Sequence, residues 1–145
     1  MDETTIRALE TSFAEFAKGK EASAALFYER LFVNDPSLRS MFTSTDMRAQ
    51  QIKLMAALGL VVGKLRTLGD VVPVLQGLAV KHVAYGVEEH HYETVGAALI
   101  QSLALTFGSR FTPDLRAAWI GAYGAVSGVM IDAARQAQMP GVAAE

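Results

Sequence analysis

The chain contains three histidines and no cysteine, and this narrows its chemistry at once. Without cysteine there are no disulfides, thiolate metal sites, iron–sulfur clusters or thioether-attached haem. A metal could be held only by histidine, carboxylate or carbonyl groups. His82 lies four residues after Leu78 and eleven after Val71, which places its ring on the apolar side of a helix. Spacing alone leaves two readings of such a histidine open: a core residue bonded to a carbonyl, or a ligand. His90 and His91 are adjacent. On a helix they point about 100° apart and are expected at the surface or at a helix start, unable to clamp one ion. Two more polar groups fall inside apolar stripes: Tyr28 between Phe27 and Leu31, and Gln50 four residues before Leu54. Buried hydroxyl and amide groups need hydrogen-bond partners. Two of them, with an inward histidine on a third helix, point to an enclosed polar ligand.

Glycine and proline divide the chain into the elements that must position these groups. Ile6, Leu9, Phe13 and Phe16 mark a first helix from about Thr5 to Lys18, closed by Gly19. A second carries Ala24, Phe27, Tyr28, Leu31 and Phe32 and stops at Asn34-Asp35-Pro36. Proline suits a first helical turn, so a short third helix is expected from Pro36 to near Phe42. Asp46 is a candidate cap for a long helix whose face, Met47, Gln50, Leu54, Leu58, Val61, Leu65 and Leu68, runs unbroken to Gly69-Asp70. Gly59 and Gly63, four apart on that helix, read as plain packing positions. Val71, Val74, Leu75, Leu78 and His82 form the next stripe, ended by Gly86. One further helix bears Tyr92, Val95, Leu99, Leu103 and Phe107. The last opens at Thr112-Pro113-Asp114 and turns Leu115, Ala118, Trp119, Ala122, Val126, Val129 and Ala133 inward. Strand alternation and Asn-Gly hairpin turns are missing, and the fold class expected is all-α.

With 145 residues, 51% of them apolar, the chain is sized for one domain with a real core. That domain is expected over residues 1–138, with 139–145 a frayed tail. Thirteen basic and fifteen acidic residues give a net charge of −2, so nucleic acid is not an expected partner. The longest uncharged stretches fall short of the roughly 20 residues that cross a bilayer, and no membrane insertion is expected. Met1 to Thr5 lacks the positive-then-apolar character of a secretory signal, which favours a cytoplasmic location.

Three runs resemble the second to fifth helices of bacterial single-domain globins and of the globin domain of flavohaemoglobins. They are Phe27-Tyr28-Glu29-Arg30-Leu31-Phe32, Asn34 through Phe42, and Gln50-Gln51-Ile52-Lys53-Leu54-Met55. Lys81-His82, Tyr85-Gly86-Val87 and His91-Tyr92 through Val95-Gly96 are similar to that family's proximal segment, and Ala118-Trp119 with Ala122-Tyr123-Gly124 to its last helix. The resemblance implies a globin fold, three helices on three, around noncovalent haem b with iron ligated by His82. It places Phe42 against the porphyrin, Tyr28, Gln50 and Leu54 on the gas-binding side, and Val87, Tyr92 and Val95 on the haem and proximal pocket. Lys53 is implied near a propionate. A slip of one residue would put Gln51 in place of Gln50, although Gln51 faces away from the Met47–Leu54 stripe. The implied ligands are dioxygen, nitric oxide and carbon monoxide. The implied activity is high-affinity dioxygen binding, storage or delivery, or nitric oxide dioxygenation with a separate reductase, since no flavin- or nicotinamide-binding region follows the match. Alignment from Trp119 puts Gln136 where flavohaemoglobins carry a glutamate behind the proximal histidine. A neutral amide there polarises the imidazole less than a carboxylate, which makes peroxidase-like chemistry less expected.

Overall fold

The computed structural model describes residues 1–138; the expected tail, 139–145, lies outside the described residues. Among these, the chain forms six α-helices: α1 (Glu3–Lys18), α2 (Lys20–Asn34), α3 (Met47–Gly63), α4 (Val72–Ala84), α5 (His91–Phe107) and α6 (Pro113–Ala137). Short 3₁₀ segments occupy Pro36–Phe42, Leu65–Val71 and Gly108–Arg110, and no strand occurs among the described residues. The all-α expectation holds.

The ends follow from side-chain chemistry. Asp2, Asp46 and Thr112 each accept from backbone N–H groups of the first turn they precede, on α1, α3 and α6, satisfying donors that a helix cannot satisfy itself. Asp35 does the same for Ser37 at the start of the Pro36–Phe42 segment. Gly86, with φ +92, supplies the left-handed turn that follows α4.

Two expectations are corrected. The long helix does not run to Leu68: α3 ends at Gly63, and Leu65–Val71 winds as a tighter 3₁₀ segment with Thr67 outside helical geometry (φ −137, ψ 48). The apolar spacing survives the break because Leu65 and Val71 still turn inward. Val74, placed in the His82 stripe, is 47% exposed, whereas Val71 and Leu75 are buried. A stripe of that width extends past the edge of the packed face.

One layer of α1, α3 and α4 lies on a second of α2, α5 and α6, with α4 against α6 and α3 across α2. Trp119 Nε1 on α6 donates to Ser12 Oγ on α1 at 3.0 Å, a buried bond between layers. Helix α6 is long and apolar enough by composition to cross a membrane, but its Trp119, Ala122, Met130 and Ala133 are buried in the protein. At Gly59, an added Cβ would only touch the Phe13 ring, and at Gly63 it would meet nothing.

The core is divided. One cluster gathers Phe16, Tyr28, Leu31, Leu99, Leu103 and Trp119; a second gathers Val71, Leu75, Ala79, Tyr92, Met130 and Ala133. Val61 and Leu68 touch both.

Candidate functional site

His82 sits in the last turn of α4. Its Nδ1 lies 2.6 Å from the Leu78 carbonyl. A carbonyl only accepts, so Nδ1 carries the ring proton and Nε2 keeps its lone pair. That tautomer is the one a metal ligand requires, with its orientation held by the helix's own backbone. The chain then turns sharply: Val87 N donates to His82 O at 3.0 Å through the Gly86 turn, fixing Val87 beside the histidine's helix.

On the other side, α2 and α3 bring Tyr28 and Gln50 together. Gln50 Nε2 donates to the Tyr28 hydroxyl oxygen at 3.1 Å. It is therefore Gln50, and not Gln51, that faces Tyr28. Tyr28 is 6% exposed, and Phe27 and Phe42 meet its ring edge-on at 5.0 and 5.7 Å. Burial pushes the phenol above its ordinary pKa, and the Gln50 amide opposes this only in part, so the hydroxyl stays protonated. Phe42 also packs edge-on against Phe32 at 5.5 Å. The 3₁₀ segment that ends at Phe42 thus delivers the ring to the Tyr28 wall.

Helix α5 spans the two clusters: Tyr92 belongs to the second, while Val95 packs against the first. Phe42, Leu54 and Val95 are only half-buried at the first cluster, as are Leu78 and Val87 at the second. A domain of this size ordinarily closes such side chains into one contiguous core. The Tyr92 hydroxyl is buried without a hydrogen-bond partner, and such a group is expected to find one. A divided core with half-covered apolar walls, an imidazole with a free Nε2 and an orphaned phenol together fit a flat apolar group between the clusters. Those residues therefore fit the haem that the resemblance implies. Lys53 is exposed on α3 and makes no ion pair among the described residues.

Sequence alignment misplaced one proximal residue. Gln136 is exposed, and the cavity of about 240 Å³ beside Tyr92 is lined by Val87, Ile131, Ala134 and Arg135 instead. Counting along a helix from Trp119 fixes an axial height, but which residue faces Tyr92 depends on how α6 rotates against α5. Arg135 donates to Glu89 at 2.6 Å across the cavity's rim. Sequence reasoning also missed Tyr123, whose hydroxyl donates to the Tyr92 carbonyl at 2.5 Å. Its signal was Gly96, since a Cβ there would stand 2.7 Å from the Tyr123 ring. His90 and His91 stand at the start of α5 as expected, His90 exposed and His91 only 6% exposed, but their rings do not diverge: the two centroids are 4.2 Å apart. Both rings lie at the start of α5, where no preceding turn keeps them apart.

The family model described as Globin matches residues 25–130. The flavohemoprotein of Bacillus subtilis is 28% identical over 133 residues, 90% of this chain and 33% of that protein. That of Bordetella parapertussis is 33% identical over 129 residues, 87% of this chain and 32% of that protein. The chain thus spans about a third of the length of these curated relatives. Among solved structures, a bacterial globin from Campylobacter jejuni superposes with a TM-score of 0.81 at 24% identity, covering 92% of this chain and 96% of that one. An engineered carbene transferase from Rhodothermus marinus superposes with a TM-score of 0.85, also at 24% identity, covering 100% and 99%. The helix order, the two layers, the isolated inward imidazole of α4 and a matching family model over most of the length agree: this chain belongs to the globin family.

Proposed function

We propose that the protein holds a noncovalent haem b through His82 Nε2 and binds dioxygen reversibly and tightly. Globin membership implies haem binding, and the observation that carries the gas-binding reading is the Gln50–Tyr28 hydrogen bond of 3.1 Å. With Gln50 occupying the acceptor side of the hydroxyl, the phenol proton is free to be donated elsewhere.

When bound, haem iron supplies one open coordination position for a diatomic gas. The chain supplies the rest. His82, its ring oriented by the Leu78 carbonyl, would hold the iron; Phe42, Leu54 and Val95 would form one wall and Val87 and Tyr92 the other, and Lys53 would pair with a propionate. The residues facing Tyr28 include no histidine, and the Gln50 amide, a poor iron ligand, would leave room there for a gas. A charge-assisted hydrogen bond from Tyr28 to a polarised gas is worth about 1.5–3 kcal/mol. At about 1.4 kcal/mol per tenfold, that slows escape by one to two orders of magnitude.

Absorption spectra of the purified protein, oxidised, reduced and under carbon monoxide, test this reading. A Soret band that is retained by the parent and lost in His82→Ala is expected. No Soret band after haem reconstitution would overturn it. The flavohemoprotein likeness favours a second reading, nitric oxide dioxygenation with an external reductase. Sustained nitric oxide consumption with a reductase and NADH is the result that would establish it; a single stoichiometric turnover counts against it.

A further inference from the structure

A second group of donor atoms lies where the end of α2 meets the start of α5, outside the gas-binding residues. One ligand atom each from Asp35, His90 and His91 lies within 4.8 Å of the other two. The Glu88 carboxylate stands 3.5 Å from His90 Nδ1. Asp35 spends Oδ1 on Ser37 N at 3.1 Å and Ser37 Oγ at 2.5 Å, which leaves its other oxygen available.

We propose that Asp35, His90 and His91 bind a divalent transition cation of the zinc type. Two imidazole nitrogens with one carboxylate oxygen suit zinc and its neighbours, whereas magnesium and calcium prefer all-oxygen sites. Asp35 and Glu88 bring two carboxylates beside two imidazoles. They outweigh the partial positive charge, roughly half a unit, at the start of α5. Around a tetrahedral zinc with bonds of about 2.0–2.1 Å, ligand atoms stand roughly 3.3 Å apart. The exposed His90 side chain, 62% accessible, has the freedom to close the remaining gap.

Binding has a structural consequence. His91 Nδ1 accepts from the Glu88 N–H at 2.8 Å, so without metal the ring proton sits on Nε2. Ligation through Nε2 moves that proton to Nδ1, which turns from acceptor to donor and releases the Glu88 amide. The cation thereby unlatches the segment carrying Val87, a wall of the haem-binding region. The site itself needs no haem, so its failure and the failure of the haem reading are separable.

Equilibrium dialysis of the purified protein against Zn²⁺ under carbon monoxide, which blocks any haem iron, tests the proposal. One ion per chain is expected, with His90→Ala and Asp35→Asn each weakening binding at least about tenfold. Zinc saturation is expected to accelerate hydrogen exchange at the Glu88 amide. Retention of no ion by the parent, retention by either variant equal to the parent's, or an unchanged Glu88 exchange rate at saturation would each overturn it.

Discussion

The Tyr28 hydroxyl has one proton to donate, and its surroundings direct where that proton goes. Gln50 takes the acceptor side, and the Phe27 and Phe42 edges offer nothing that competes for the proton. Replacing Tyr28 with Phe keeps the ring packing and removes only the donor. Dioxygen release, followed by stopped-flow mixing with carbon monoxide, is expected to speed up at least about tenfold, since a lost charge-assisted bond exceeds about 1.4 kcal/mol. An unchanged rate would remove Tyr28 from the gas-binding side. Gln50→Leu leaves the phenol in place but frees its acceptor lone pair, so a smaller acceleration is expected in the same measurement. His82 shows how much one residue's own neighbourhood settles. Leu78 lies one helical turn before His82, and its carbonyl fixes the imidazole tautomer without help from any other element. Nothing comparable fixes Tyr92: its hydroxyl has no partner among the described residues.

At the scale of elements, the crossing of α5 and α6 is the tightest contact near the site. Gly96 lets the Tyr123 ring lie against the α5 backbone, and Tyr123 in turn donates to the Tyr92 carbonyl. Gly96→Ala drives a methyl group to 2.7 Å from that ring. A loss of about 1–3 kcal/mol in stability is expected from overpacking, read as a fall in denaturation midpoint. Adding Tyr123→Leu to Gly96→Ala is expected to recover part of the loss, because a smaller side chain vacates the contested space. No recovery would place the strain elsewhere. Helix ends were legible in the sequence at Asp46 before α3, Thr112 before α6 and Gly86 after α4, each decided by a local residue, although the Asp2 cap of α1 was not read. The end of α3 at Gly63 was not. Its apolar spacing continues to Leu68 unchanged, and the switch to 3₁₀ winding around Thr67 alters hydrogen bonding without altering which residues point inward.

Across the whole molecule, the N-terminal helix is tied to the middle of the chain by Arg66. Its guanidinium bonds the carboxylates of Glu3 and Glu10, which holds both below the ordinary carboxylate pKa. A carboxyl depressed in the folded state contributes stability above its unfolded pKa, about 4.3 for glutamate, and loses it as pH falls through the depressed value. Stability is therefore expected to decline on acidification below that range, and less steeply in Arg66→Ala. Because all three groups are solvent-exposed, salt is expected to weaken the difference. Equilibrium urea unfolding across that pH range, at low and high salt, checks both; identical pH slopes in parent and variant would rule out the Arg66 contribution. The sequence by itself determined the helical class, the caps, the inward His82 and, through a run of motifs in order, the resemblance to globins. Each of these rests on neighbours within a few residues or on the order of segments along the chain. Tertiary structure decided the rest. It chose Gln50 over Gln51 as the partner of Tyr28, moved Gln136 out to solvent in favour of Ile131 and Ala134, buried His91 against His90, and split the core in two. Those outcomes depend on how helices far apart in the chain rotate and cross, which spacing along one helix does not specify.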